Sequence, residues 1–308
     1  MGNEDIKLLI ANIEKVIVGK TESIKLLIIG LLTNGHILIE DIPGLGKTML
    51  ALALSKSINA DFKRIQATPD LLPTDITGGF VYSPKTGDFD FRRGPVFANI
   101  LLVDEINRTT PRTQSALLEC MQEYKVTVEG TSFVLPQPFM TIATQNPIEY
   151  QGTYALPEAQ VDRFLMKINM GYPSLQEEVK IISGQKIKHP VEEVAPVMGL
   201  ESITRLQEHV KKIQISAAVL EYIINLVSST RKNPSVKQGA SPRASIAIMK
   251  ASCAWAFIEG RDYVIPEDVI KLLPSILKHR IMLHPKSIIA GMTPEAVIEG
   301  ILKQTPIS

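Results

Sequence analysis

Apolar residues recur at three- and four-residue intervals through residues 7–32, broken only at Val18-Gly19-Lys20. This spacing predicts two helices joined by a turn. The pattern then changes: after Asn34-Gly35, the run His36-Ile37-Leu38-Ile39-Glu40 is short and β-branched, as expected of a buried strand. A glycine-rich turn follows, then helical spacing over 47–59 and a second strand over 62–66. Ile100-Leu101-Leu102-Val103 and Met140-Thr141-Ile142-Ala143 repeat the buried-strand pattern. Between them an amphipathic helix is expected over 113–124, and residues 125–135 alternate about Glu129-Gly130 as a hairpin. Residues 71–94 hold Gly78, Gly79, Pro84, Gly87 and Gly94, which predicts loops and an inserted hairpin. Strands alternating with helices indicate an α/β domain with a parallel sheet over residues 1–173. Beyond Gly171-Tyr172-Pro173 helical spacing dominates, over 174–188, 201–211, 216–231, 243–259 and 266–278, with His189-Pro190 to Pro196 as a non-helical link. Residues 174–308 therefore read as a smaller all-α domain.

Composition narrows the function. The 308 residues carry 33 Lys+Arg against 32 Asp+Glu, a formal net charge of +1. That balance argues against gripping nucleic acid or an anionic membrane through bulk positive charge. It also conceals an asymmetry, −3 over residues 1–173 and +4 over 174–308, which is compatible with head-to-tail contacts between copies. A 45% hydrophobic content excludes intrinsic disorder. Cys120 and Cys253 lie far apart without CxxC spacing, which excludes a disulfide framework or zinc knuckle and fits a reducing compartment. The N-terminus lacks the basic and apolar regions of a secretory signal, the most apolar stretch (26–32) is too short to span a bilayer, and Ile6 stands where myristoylation requires Ser or Thr. The expected location is cytoplasmic.

Candidate chemistry sits at the strand ends. Asp41-Ile42-Pro43-Gly44-Leu45-Gly46-Lys47-Thr48, running into Met49, nearly completes the phosphate-loop pattern G-x-x-x-x-G-K-[ST], with a strand before it and a helix after it. Gly44 and Gly46 let backbone N–H groups close on phosphate oxygens at a helix N-terminus. Lys47 reaches the β/γ-phosphates of ATP, and the Thr48 hydroxyl can ligate Mg²⁺. Asp41 replaces the first glycine of the pattern; aspartate tolerates left-handed backbone, but it brings a negative charge near phosphate. At the end of the strand 100–103, Asp104 would hold Mg²⁺ through water and Glu105 would polarise the attacking water. Asn146 ends a third strand and could orient the water or contact the γ-phosphate; a turn asparagine before Pro147 is the competing reading. Arg163 could be a surface arginine paired with Asp162. Arg243 follows Ser241-Pro242 at a helix start, where a cation is unfavourable unless it answers an anion.

The segments DIPGLGKT, LLVDEINR, TQSALLECMQE, ATQNPIEYQGTYALPEAQVDRF and SPRA together resemble the MoxR family of AAA+ ATPases over nearly the whole chain. The resemblance implies a P-loop α/β core, a helical lid, and a homo-oligomeric ring, commonly a hexamer, with ATP between subunits. In that scheme Asn146 resembles sensor 1, Arg243 the sensor 2 arginine, and Arg163 the arginine finger that reaches a neighbour's site. Val18 and Gly19 fall where the family places the adenine, and Arg108 is expected to face a neighbouring subunit. Residues 77–95 resemble the helix-2 insert and 125–135 the pre-sensor-1 hairpin, either client-facing or simply solvated surface. Trp255 and the aromatics Phe80, Tyr82, Phe89 and Phe91 read as core and hairpin packing. The implied role is chaperone-like, ATP-driven remodelling of a partner protein, often one with a von Willebrand factor A domain, sometimes coupled to metal-cofactor insertion. A metal-chelatase motor subunit and a nucleic-acid-dependent ATPase share the core and stay open, although no basic stripe interleaved with aromatics is present.

Overall fold

The computed structural model describes residues 2–85, 87–147, 153–184 and 189–306. Helix α1 (Gly2–Glu14) buries Ile6, Leu9, Ile10 and Ile13, one stripe at helical spacing. Helix α2 (Thr21–Leu32) is buried nearly all round, from Ile24 to Leu32, because helices or sheet cover it on several sides. In chain order there follow β1 (Ile37–Glu40), α3 (Lys47–Ser57), β2 (Phe62–Gln66), α4 (Pro73–Thr77), β3 (Gly78–Ser83) and β4 (Asp88–Arg93). Then come β5 (Ile100–Asp104), α5 (Pro111–Glu123), β6 (Lys125–Val128), β7 (Thr131–Val134), β8 (Met140–Gln145), α6 (Glu158–Val161) and β9 (Met166–Ile168). The remainder holds α7 (Leu175–Gly184), α8 (Leu200–Val210), α9 (Ala217–Lys232), β10 (Val236–Gln238), α10 (Pro242–Ile258), α11 (Pro266–Leu277), β11 (Met282–Leu283), α12 (Pro285–Ile289) and α13 (Pro294–Gln304).

A parallel sheet runs in the order β2-β5-β8-β1-β9. Strands β1, β5 and β8 are buried along almost their whole length, as inner strands covered on both faces must be. Edge strand β2 exposes Lys63, Arg64 and Gln66. Strand β9 escapes sequence patterning because it has only three residues and Lys167 interrupts its apolar run; Lys167 pairs with Glu40 at 2.5 Å. Two hairpins project from this sheet, β3–β4 and β6–β7. They touch through Phe91 and Phe133, whose rings stack 3.9 Å apart at 8°. Phe80 and Phe91 pack as expected, whereas Tyr82 and Phe89 are exposed and meet each other edge to face.

The later segment departs from an all-helical expectation. β10 and β11 form a two-stranded antiparallel ribbon, a 3₁₀ turn covers Pro190–Glu193, and the helical expectation for 185–188 lies outside the described residues. Helix α10 buries Ala244, Ala247, Ala251 and Ala254, small residues that admit close neighbours, while Trp255 is buried with Lys25 5.2 Å from its ring centroid. The apolar cluster of α1, α2 and α3 continues without interruption into α8–α11. Gln207 on α8 donates to the Leu31 carbonyl at 2.7 Å, tying the two segments together by a buried polar contact.

His36, at the entry to β1, is buried. Thr141 N–H donates to its Nδ1 at 3.0 Å, so Nε2 carries the proton and donates to the Met121 carbonyl at 2.8 Å. Burial pulls its pKa down to about 4, against which the Met121 hydrogen bond works only weakly. The unfolded chain therefore takes up this proton first, and stability falls as pH drops from the free-histidine value towards 4. Between pH 7 and pH 4 this one group removes about 3 kcal/mol. Denaturant titrations should show the loss shrinking by about that amount in His36→Gln, whose amide can keep both hydrogen bonds.

Candidate active site

The turn after β1 brings the chain back over the carboxyl edge of the sheet. Only glycine accommodates its geometry at two positions: Gly44 (φ 87°) and Gly46 (φ 82°) are left-handed. Asp41 is not, so the replaced glycine required no special backbone. Its carboxylate instead accepts from the backbone N–H of Met170 and, at 3.3 Å, of Gly171. The negative charge therefore anchors the end of β9. Helix α3 begins at Lys47 with Gly46 as its N-cap, leaving its first N–H groups for an anion. Lys47 Nζ donates to the carbonyls of Asp41 (2.5 Å) and Ile42 (3.2 Å). Partial burial lowers its pKa, opposed by the charges of Asp41, Asp104 and Glu105.

Strand β5 delivers Asp104 and Glu105 to the same edge. Asp104 Oδ2 lies 3.4 Å from the donating Thr48 hydroxyl and accepts from Arg64 Nε at 2.7 Å. Its Oδ1 accepts from the Thr144 hydroxyl at 3.2 Å, and the Thr144 hydroxyl oxygen accepts in turn from the backbone N–H of Glu105 at 2.9 Å. One β8 threonine thereby holds both the Asp104 carboxylate and the backbone of Glu105. Glu105 is left-handed at φ 58°, an uncommon conformation for glutamate and a local strain of about 1–3 kcal/mol. Its Oε2 accepts from Gln66 Nε2 at 3.1 Å and from Arg108 at 2.9 Å. Arg108, expected at a subunit interface, is here an intrachain partner of Glu105.

Pro43, Gly44, Gly46, Lys47, Thr48, Met49, Asp104, Glu105 and Asn146 all line one cleft of about 320 Å³, together with Arg64, Gln66 and Thr144. Of the candidates, these are the ones the fold brings together. Val18 and Leu45 line an adjoining cleft of about 280 Å³ that shares Gly44, Gly46 and Met49 and is closed by Ile181 and His189-Pro190. Gly19 (φ 73°) borders it, and a Cβ there would collide with the Glu177 carboxylate. The second cleft is thus built from both halves of the chain. Thr48 and Asp104 supply the hard oxygen donors that suit Mg²⁺, an ion that takes most of its remaining ligands from water and phosphate. Among the described residues no cluster of three or more His, Cys, Asp or Glu could cage a metal without such help.

Arg163 and Arg243 are not in either cleft. Both line a third hollow of about 210 Å³, with Asn34, Gly35, His36 and Lys250. This hollow lies at the amino end of β1, whereas the phosphate loop leaves its carboxyl end. At about 3.3 Å per residue the strand separates the two by roughly 16 Å. Nor does Arg163 pair with Asp162, whose carboxylate is taken by Arg280 and Ser241. Sequence reasoning missed Arg64, Gln66, Thr144 and Lys250. Arg64 and Gln66 are two residues apart on β2, so they share a strand face, a signal legible only once β2 is known to lie beside β5.

Comparison with known proteins agrees with this geometry. Residues 36–166 match the model of the ATPase family associated with various cellular activities (AAA), and 228–301 match an AAA lid domain. The uncharacterised protein YeaC of Bacillus subtilis is 51% identical over 298 residues, covering 97% of this chain and 93% of its own. Chaperone MoxR1 of Mycobacterium tuberculosis is 43% identical over 303 residues, covering 96% of this chain and 80% of its own. A crystal structure of a candidate ATPase from Cytophaga hutchinsonii superposes with a TM-score of 0.92 at 40% identity, covering 99% of this chain and 96% of that one. No helix among the described residues is long and apolar enough to cross a membrane.

The loop geometry makes a direct prediction. A Cβ on Gly46 would meet only Ile17 Cδ1 at 3.8 Å, so Gly46→Ala introduces no clash and acts through its φ alone. The left-handed penalty of about 1–2 kcal/mol should reshape the loop and weaken nucleotide binding about tenfold while the fold persists. Fluorescent-nucleotide titration beside a thermal melt measures both; unchanged affinity would mean that the loop does not bind phosphate in this conformation.

Proposed function

The chain belongs to the MoxR family of AAA+ ATPases, and from that premise we propose that it hydrolyses ATP at contacts between its own copies to remodel or mature a partner protein. The observation that carries the proposal is the placement of Arg163 and Arg243 at the opposite end of β1 from the phosphate loop. Two arginines so placed serve a nucleotide only if it is held by another copy, as in a ring, for which a hexamer is the proposed form.

In this reading the α3 N-terminus and Lys47 bind the phosphates, while the base lies against Val18 and Gly19 in the adjoining cleft. Thr48 and Asp104 would hold Mg²⁺, which neutralises charge on the β- and γ-phosphate oxygens. Glu105 accepts the proton of the attacking water, and Asn146 orients that water or the γ-phosphate. Before that step Glu105 has to be released from Gln66 and Arg108, and Asp104 from Arg64. Arg163 and Arg243 of the adjacent copy stabilise the charge that develops on the transferred phosphoryl group.

The partner is proposed to be a protein, in keeping with the chaperone name of the Mycobacterium relative. A von Willebrand factor A domain protein or an apo-metalloprotein are the finer candidates.

Turnover per chain should rise with protein concentration and saturate on assembly. Arg163→Ala should reduce it by about 10³-fold with nucleotide affinity retained. Unchanged turnover in assembled Arg163→Ala would remove the arginine from the mechanism. Glu105→Gln should bind ATP without hydrolysing it and retain the partner protein in a pull-down; loss of binding would make Glu105 structural.

A further inference from the structure

Arg280 lies at the centre of a dense set of hydrogen bonds. Its guanidinium is 3% exposed, and all five of its N–H donors have acceptors. Nε donates to Asp162 Oδ1 at 2.7 Å. One terminal nitrogen donates to the carbonyls of Leu165 (3.0 Å) and Ile276 (2.5 Å), the other to those of Asp162 (3.2 Å) and Phe164 (2.6 Å). These acceptors belong to the turn between α6 and β9 and to the last turn of α11, so one side chain binds two distant segments. A lysine has three donors and no planar fork, and could not reproduce this arrangement.

The second carboxylate oxygen of Asp162 continues the chain of contacts. Oδ2 accepts from the Ser241 hydroxyl at 3.1 Å, and that hydroxyl in turn accepts from Arg243 N–H at 3.2 Å as the N-cap of α10. Asp162 thus stands immediately before Arg163 in sequence and one hydroxyl away from Arg243 in space. With both of its oxygens engaged by Arg280 and Ser241, it is not free to neutralise Arg163. Among the described residues that line the hollow with Arg163, Arg243 and Lys250, the one acidic side chain is the engaged Asp162. Burial lowers the Arg280 pKa while its Asp162 contact raises it, and the nearby Arg243 charge lowers it further, which places the Arg243 and Arg280 guanidinium groups in one field.

We propose that Arg280 and Asp162 form a positioning clamp that sets Arg163 and Arg243 as one rigid pair for the adjacent copy, Ser241 being its link to α10. The clamp rests on the reading that both arginines act on a nucleotide bound by another copy. It has two effects. It fixes the spacing of two cations contributed by different segments, and it withholds from Arg163 the carboxylate next to it in sequence. The residues of the clamp touch no substrate themselves.

Mixed assemblies test the clamp separately from the reading beneath it. Lys47→Ala supplies intact arginines but a defective phosphate loop, and Arg163→Ala supplies the reverse. Equal mixtures of the two should regain turnover that neither has alone; failure to do so overturns the reading of action between copies, and the clamp with it. Given that recovery, Asp162→Asn alone should lose about 10²-fold in kcat with KM for ATP nearly unchanged, the signature of misplaced transition-state groups. Its turnover should return when it is mixed with Lys47→Ala but not with Arg163→Ala, because only the arginine-donating side of the contact is damaged. Ser241→Ala should repeat this pattern with a smaller loss, and it decides the matter if Asp162→Asn does not assemble. Wild-type kcat in both variants, or a defect that Lys47→Ala cannot rescue, overturns the clamp.

Discussion

A four-residue strand sets the scale of this molecule. β1 lies between β8 and β9, buried on both faces, so its two ends are held at a fixed separation that no side-chain movement can close. At its carboxyl end the chain turns through Gly44 and Gly46 into the phosphate loop; at its amino end His36, sealed between Met121 and Thr141, forms one wall of the arginine hollow. Parallel strands always gather ligand-binding loops at their carboxyl edge. Here the opposite edge is equipped as well, with cations in place of a phosphate loop. On the proposed reading, one chain carries two complementary parts of a reaction centre that cannot meet within it.

The way charge is handled differs between those two ends. Around the phosphate loop every carboxylate already has a donor: Asp41 holds the end of β9, Asp104 holds Arg64 and Thr144, and Glu105 holds Gln66 and Arg108. Around the hollow, the one carboxylate among the described lining residues is engaged by Arg280 and Ser241, away from Arg163 and Arg243. A buried ion pair gains little net stability when desolvation is counted. The Arg280–Asp162 pair earns its place through geometry, since a fully saturated guanidinium fixes its neighbours more tightly than an apolar contact of the same volume.

Much of this was legible in the residues. The continuous apolar runs at 37–39, 100–103 and 140–143 could only be inner strands, and the glycines of the loop between β1 and α3 announced its turn. The phosphate-side residues were found because they occupy fixed offsets from a strand end. Residues whose roles depend on which strands are neighbours were not legible: Arg64 and Gln66 matter because β2 pairs with β5, an adjacency that crosses the 33 residues between Gln66 and Ile100. Asp162 and Arg280 are 118 positions apart, and nothing local distinguishes either one. Arg163 next to Asp162 suggested a pair that the fold does not make, because a more distant and better-buried arginine competes for the same oxygens. The β10–β11 ribbon and β9 are two and three residues per strand, too short for a period to register.

The stacked rings of Phe91 and Phe133 have a mechanical consequence. They fasten together two hairpins whose stems feed different strands, β3–β4 leading into β5 with Asp104, and β6–β7 leading into β8 with Thr144 and Asn146. An aromatic contact of this kind adds about 0.5–1.5 kcal/mol beyond its buried area, enough to make small displacements of the two arms cooperative. A load applied at the tip of either arm would be shared between two roots, β5 with its carboxylates and the adjacent β8. The brace therefore couples β5, which delivers Asp104 and Glu105, to β8 beside it, which carries Thr144, at a point outside the sheet.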